Sequence, residues 1–226
     1  MPPRPPRAPR TKSPGATLVL LVRHGKTPTT GKVLPGRAPG LHLADAGRAQ
    51  AEAVASRIAG LYDTRSKHRV QAIYASPLER ASETAEPIGA QLGLPVSVET
   101  GLLECDFGEW TGAELKALSK LAEWKTVQRW PSGWRFPGGE SFSEMQARMT
   151  GCLATLCARH PGGTLVAVSH ADPIKAAVAY ALGSHLDLFQ RIVVSPCSVS
   201  AVAYGDTGPT VLAVNATASL AELRPS

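Results

Sequence analysis

Thr17-Leu18-Val19-Leu20-Leu21-Val22-Arg23-His24-Gly25-Lys26-Thr27 is the stretch on which the reading of this chain turns. Its apolar run, Leu18 to Val22, stops abruptly at Arg23-His24-Gly25. An unbroken apolar run of strand length suits a strand covered on both faces, as in the middle of a parallel sheet. Such sheets bind ligands beyond the carboxyl ends of their strands, and His24 stands there. Gly25 removes a side chain just past it, so backbone N–H groups can converge on an anion while Arg23 brings charge and a bidentate fork. The tip reads as a phosphate cradle holding an imidazole. The Arg-His-Gly triplet alone fits equally well an ordinary strand end with a structural histidine.

The loop after this strand, TPTTGKVLPGRAPGLHL, is broken by glycine and proline, and Lys26, Lys32 and Arg37 add charge near His24. Asp45 then caps a helix whose Ala51, Val54, Ala55 and Ile58 form an apolar stripe for packing on the sheet. Val70 to Ala75 reads as a second strand. Ser76-Pro77-Leu78-Glu79 supplies an N-cap, a proline in the first turn and a capping-box glutamate for the next helix, in which Pro87 predicts a kink or an early end. Arg80 is the informative residue there, because a cation in the first turn opposes the helix dipole unless something anionic lies close. A phosphate would compensate it, and so would a surface carboxylate such as Glu83.

Pro95 to Glu99 reads as a short third strand leading into GLLECDFGEWTG, where Glu104, Asp106 and Glu109 crowd around Phe107 and Trp110. A carboxyl desolvated by aromatics has a raised pKa and suits a general acid; a solvated loop charge does not. Residues 105 to 140 read as a helical cap over the site. Its tryptophans serve packing, and Lys125, Arg129 and Arg135 are its candidate substrate selectors. Ser141 to Glu144 is a second capping box. Thr164 to Ser169 repeats the buried-strand pattern and ends on His170-Ala171-Asp172-Pro173, placing His170 where His24 stands. Ala171 opens a helix whose N-terminus favours an anion. Ser198 to Tyr204 and Val211 to Asn215 complete the sheet.

The chain has 226 residues, enough for one sizeable core. Its formal net charge of +6 is concentrated in a proline-rich tail, residues 1–16, where Arg4, Arg7, Arg10 and Lys12 occur without an acid. That tail is expected to be disordered, with the folded domain over 17–226. A basic face for nucleic acid is therefore not indicated, though a local positive pocket is compatible with the remainder. Cys105, Cys152, Cys157 and Cys197 show no C-x-x-C or zinc spacing, and no run is long enough for a membrane span or a signal peptide. These features predict a cytoplasmic protein.

Arg23-His24-Gly25, Arg80 within SPLERASETA, Glu104 within LLECDFGEW and His170 within VAVSHAD, in that order, resemble the histidine phosphatase superfamily, the fold of cofactor-dependent phosphoglycerate mutases. The resemblance implies a three-layer α/β/α sandwich on a mostly parallel sheet. It also implies a phosphomonoester hydrolase with no cofactor or metal, acting on a small phosphorylated metabolite through a phosphohistidine. His24 is then the nucleophile, Arg23, Arg80 and His170 hold the phosphoryl oxygens, and Glu104 is the general acid. Gly25, Thr30, Gly36, Arg37 and Ala171 fall in segments that carry substrate contacts. Lys26 stands where relatives often have glutamate or glutamine, and Thr30 where many have asparagine. The segment after the acid is short, and Arg129 and Arg135 do not form the paired arginines of the mutases, so hydrolysis is favoured over isomerisation. A domain that binds phosphate ligands or proteins without turnover is the remaining alternative, and the intact nucleophile, acid and clamps argue against it. Neither a nucleic-acid nor a membrane partner is expected, and self-association is compatible with the sequence.

Overall fold

A computed structural model describes residues 15–61 and 69–217. The tail expected over 1–16 lies outside the described residues except for Gly15 and Ala16, which are exposed. Strand β1 (Thr17–Arg23) is central in a six-stranded sheet that also contains β2 (Val70–Ala75), β3 (Val96–Val98), β4 (Thr164–Ser169), β5 (Val199–Gly205) and β6 (Gly208–Ala216). The order is β3-β2-β4-β1-β5-β6. β1 pairs parallel with β4, and β2 parallel with both β4 and β3; β5 runs antiparallel to β1 and β6 antiparallel to β5.

Alternation along β1 sorts its side chains to two faces. Leu20 and Val22 pack with Val54 and Ile58 of α1 (Asp45–Leu61) and Ile88 of α2 (Glu79–Leu92). Val19 and Leu21 pack with Leu153 and Leu156 of α5 (Phe142–Arg159) and Ile174 and Val178 of α6 (Ala171–Ala181). Both faces are covered, which is why the strand reads as a continuous apolar run. The result is an α/β/α sandwich with the carboxyl ends of β1 and β4 at one edge.

Three local expectations are corrected. Asp45 is the first residue of α1, where its charge complements the dipole from inside the helix. Ser76 caps nothing: α2 starts at Glu79, with Leu78 as its N-cap and no side-chain cap bond. Pro87 neither ends α2 nor prevents its run to Leu92, because Ala81, Thr84, Ala85 and Ile88 bury against α1 and the sheet on both sides of it. The capping box at Ser141 and Glu144 is formed in both directions. Between β3 and α5 the chain makes only short helices, α3 (Leu115–Leu118) and α4 (Glu123–Arg129), joined by 3-10 turns. Phe107, Phe136, Phe142 and Phe189 bury together there, with Trp110, Trp124 and Trp134 packed against them. No helix among the described residues is long and apolar enough to cross a membrane.

Candidate active site

The ends of β1 and β4 bring two histidines side by side. His24 is 5% exposed and His170 fully buried, with ring centroids 5.2 Å apart. His24 Nδ1 lies 2.7 Å from Gly25 O, which can only accept, so Nδ1 carries the proton and Nε2 presents its lone pair. Arg80, fully buried in the first turn of α2, donates to that lone pair from Nε at 3.3 Å and to Gly36 O from Nη2 at 2.8 Å. Arg23 Nη1 donates to Val194 O at 2.7 Å. His170 Nε2 meets Ser76 Oγ at 2.8 Å.

Burial, reinforced by the charges of Arg23 and Arg80, holds His24 well below the ordinary histidine range. Burial and Arg80 do the same for His170. Both rings are therefore neutral at neutral pH. Three buried nitrogens of this group have no hydrogen-bond partner: Arg23 Nε, Arg80 Nη1 and His170 Nδ1. Buried polar atoms are rarely left this way, so three on the residues adjoining one imidazole mark a place built for an oxygen-rich anion.

Glu104 completes the group. It is 6% exposed, its Oε1 accepts from Cys105 N at 2.9 Å, and burial, followed by the negative charge of Asp172, lifts its acid to about 7. The other two carboxylates of the segment are elsewhere: Glu109 is exposed, and Asp106 faces Arg37 at 3.6 Å. The Glu104 backbone is braced from behind. Glu104 O accepts from Arg37 Nε at 2.9 Å and Arg148 Nη2 at 3.3 Å, while Arg148 Nη1 bonds Gly101 O and Leu103 O at 2.9 Å each. Glu140 ties the two arginines together, accepting from Arg37 Nη2 at 2.9 Å and Arg148 Nε at 2.7 Å.

A cavity of about 420 Å³ opens beside His24. Arg23, His24 and Glu104 form its floor; Thr27, Thr30 and Leu34 line one side; Ala171, Asp172, Lys175 and Gln190 another; Phe107, Leu115, Trp124 and Gln128 come from the 105–140 segment.

Several residues singled out from sequence therefore sit differently from expectation. Gly25 N–H is taken by Thr84 Oγ1 at 3.0 Å, and the glycine is needed for packing, since a Cβ would meet Gly47 O at 2.5 Å. Thr30 lines the cavity, but its hydroxyl accepts from Thr27 N at 2.8 Å. Gly36 serves through its carbonyl on Arg80, at a φ of 52° that suits glycine. Arg37 is not on the cavity wall and instead holds the Glu104 loop. Ala171 is on the wall at the first turn of α6. Of the cap cations, Lys125 and Arg129 are exposed and Arg135 is paired with Glu144; none lines the cavity. Sequence reasoning missed Ser76, Thr84, Arg148, Lys175 and Gln190. Among the described residues no group of three or more His, Cys, Asp or Glu side chains is placed to hold a metal ion.

Two neutral histidines beside the buried Arg80 and the half-buried Arg23, with a carboxyl lifted to about 7 next to them at the strand ends of an α/β/α sandwich, define a phosphoryl-transfer class of site. The chain belongs to the histidine phosphatase superfamily (branch 1), whose sequence profile matches residues 19–217. It is 30% identical over 211 residues to phosphoserine phosphatase 1 of Hydrogenobacter thermophilus, covering 90% of this chain and 94% of that one. The mycobacterial glucosyl-3-phosphoglycerate phosphatase superposes with a TM-score of 0.78 at 25% identity, over 89% of this chain and 100% of the other. A phosphoserine phosphatase from Entamoeba histolytica, solved with phosphoserine, superposes with a TM-score of 0.79 at 26% identity, over 90% and 99%.

Proposed function

We propose that the chain hydrolyses phosphomonoesters of small metabolites in two displacements through a phosphohistidine at His24. The observation that carries this is the set of unpartnered nitrogens, Arg23 Nε, Arg80 Nη1 and His170 Nδ1, on the three residues that adjoin the His24 ring: its chain neighbour, the arginine bonded to its Nε2 and the histidine 5.2 Å away. A phosphoryl group brought there meets a nucleophile and donors for its oxygens together, and phosphoryl transfer is largely positioning and charge stabilisation. Nε2 attacks phosphorus, the ester bond breaks, and Glu104 gives its proton to the departing alkoxide. The Glu104 carboxylate then takes a proton from the water that attacks the phosphohistidine, restoring both groups. Gly36 and Ser76 fix Arg80 and His170, and the 105–140 segment acts as a cap that covers the cavity.

Hydrolysis is favoured over isomerisation because the cap cations stand off the cavity, leaving no arginine pair there to retain a second anionic group of a phosphorylated intermediate. The named phosphoserine and glucosyl-3-phosphoglycerate phosphatases support a small phosphorylated metabolite as substrate. Cys105, Cys152 and Cys157, which are free thiols, support a cytoplasmic setting. The test is phosphate release from a panel of phosphorylated metabolites alongside a 3-phosphoglycerate isomerisation assay, with and without EDTA. Phosphate release without isomerisation, unaffected by the chelator, is expected; isomerisation as the faster reaction would overturn the reading.

A further inference from the structure

Beside the phosphoryl clamp the cavity carries a second polar group. Lys175 Nζ donates to Asp172 Oδ1 at 3.3 Å and to Gln190 Oε1 at 3.1 Å, and it stands 6.0 Å from the centre of the Phe189 ring. The Lys175 and Asp172 side chains are 18% and 17% exposed. A lysine and an aspartate three apart on a helix ordinarily pair in solvent and do little more. This pair faces the cavity that Arg23, His24 and Glu104 floor, and Gln190 reaches it from the separate 3-10 turn Leu186–Arg191. An ammonium has three protons and a carboxylate about four lone-pair sites, so both groups keep capacity for a ligand.

Resting on the phosphatase reading of the same cavity, we propose that Lys175, Asp172 and Gln190 recognise the remainder of the substrate as an α-amino-acid zwitterion, its carboxylate on the Lys175 ammonium and its ammonium on the Asp172 carboxylate. The substrate class is thus a phosphorylated hydroxy amino acid. The charges select this class. Arg23 and the Arg80 that touches His24 carry two positive charges, which a phosphomonoester dianion balances alone, while Lys175 and Asp172 are already paired with each other as a neutral couple on the cavity wall. The rest of the substrate must then be neutral overall. A lone carboxylate would bring a like charge to Asp172, a lone ammonium would bring one to Lys175, and an apolar group would desolvate both without replacing their water. A zwitterion satisfies each.

The test is calorimetric binding to His24→Ala protein, which lacks the nucleophile and is expected to leave the ligands intact. The ligands are O-phosphoserine, 3-phosphoglycerate, phosphoethanolamine and glycerol 3-phosphate, each referred to inorganic phosphate on the same variant. O-phosphoserine should bind roughly 10-fold more tightly than each of the others, in keeping with a site whose charged hydrogen bonds an analogue cannot make. Lys175→Met in this background should erase the margin over phosphoethanolamine, and Asp172→Asn the margin over 3-phosphoglycerate. Glycerol 3-phosphate binding as tightly as O-phosphoserine, or margins that neither substitution moves, overturns the proposal. The same ligands given to the unsubstituted enzyme separate the two readings: selective binding without phosphate release refutes hydrolysis and leaves recognition standing, whereas equal release from all four does the reverse.

Discussion

His24 Nε2 accepts a hydrogen bond from Arg80 Nε at 3.3 Å, so the arginine rests on the lone pair that has to attack phosphorus. Gly36 O holds the other end of the guanidinium at 2.8 Å, leaving Nη1 as the unpartnered donor. One residue thereby engages the lone pair that the Gly25 carbonyl leaves on Nε2 and keeps a further donor for the phosphoryl oxygens.

Arg80→Lys keeps the charge and loses the planar fork, so it cannot serve Gly36, His24 and a phosphoryl oxygen together. We expect kcat/KM for p-nitrophenyl phosphate to fall by roughly 10²- to 10³-fold, the scale of a lost transition-state donor. Steady-state kinetics checks it, and a fall below about 5-fold would show that charge alone suffices.

Glu104 is an acid lifted to about 7, so its proton is present below that pH and lost above it. For an alkyl phosphomonoester kcat should decline as pH rises through about 7, and Glu104→Gln should lower kcat by roughly 10²-fold and abolish this limb. With p-nitrophenyl phosphate, whose phenolate leaves unprotonated, both effects should be much smaller. Asp106→Asn and Glu109→Gln should show no dependence on the leaving group. His24 is held neutral well below its ordinary range, so protonation of the nucleophile should cause no loss of activity near pH 6.5.

Arg148 acts on Glu104 only through its backbone carbonyl, and Glu140 acts one step further back, through Arg37, Arg148 and the Asp106 N–H. Arg148→Met strips three carbonyls of a charged donor and should destabilise the fold by about 1–3 kcal/mol, read as a lower denaturant midpoint. The same variant should slow alkyl esters more than p-nitrophenyl phosphate. Equal slowing of both would mean that the brace supports the fold alone.

Gly25 and Gly47 let the loop after β1 lie against α1. A Cβ on Gly47 would stand 2.0 Å from Lys26 O, a backbone atom that cannot step aside. Gly47→Ala should therefore lose about 1–3 kcal/mol and displace His24, seen as a lowered Tm with reduced kcat. An unchanged Tm would show that the loop yields freely.

What could be read in advance follows the physics of each signal. The run from Leu18 to Val22 carries its burial on both faces in its letters, and His24 and His170 are marked by their places after such runs. Arg80 is legible because a first-turn cation is costly without an anion. Ser76 is not: a serine between a strand and a helix satisfies a helix N-terminus or a neighbour, and its partner, His170, is 94 residues away. Arg37 fails for the same reason, since Glu140 lies 103 residues off and no local pattern announces it. The cap cations attract notice through their aromatic setting, while Lys175, on the third position of an amphipathic helix after Asp172, looks like an ordinary surface pair until Gln190 and the cavity are in place.

The central claim is that the phosphoryl group rests on His24 between two displacements. Rapid quench of the enzyme with a substrate labelled in its phosphoryl group, followed by peptide mapping, measures this directly. We predict acid-labile, base-stable label on the peptide containing His24, none in His24→Ala protein, and net retention of configuration at a chiral phosphorus. Inversion of configuration with no label on His24, or turnover surviving in His24→Ala, would contradict the account.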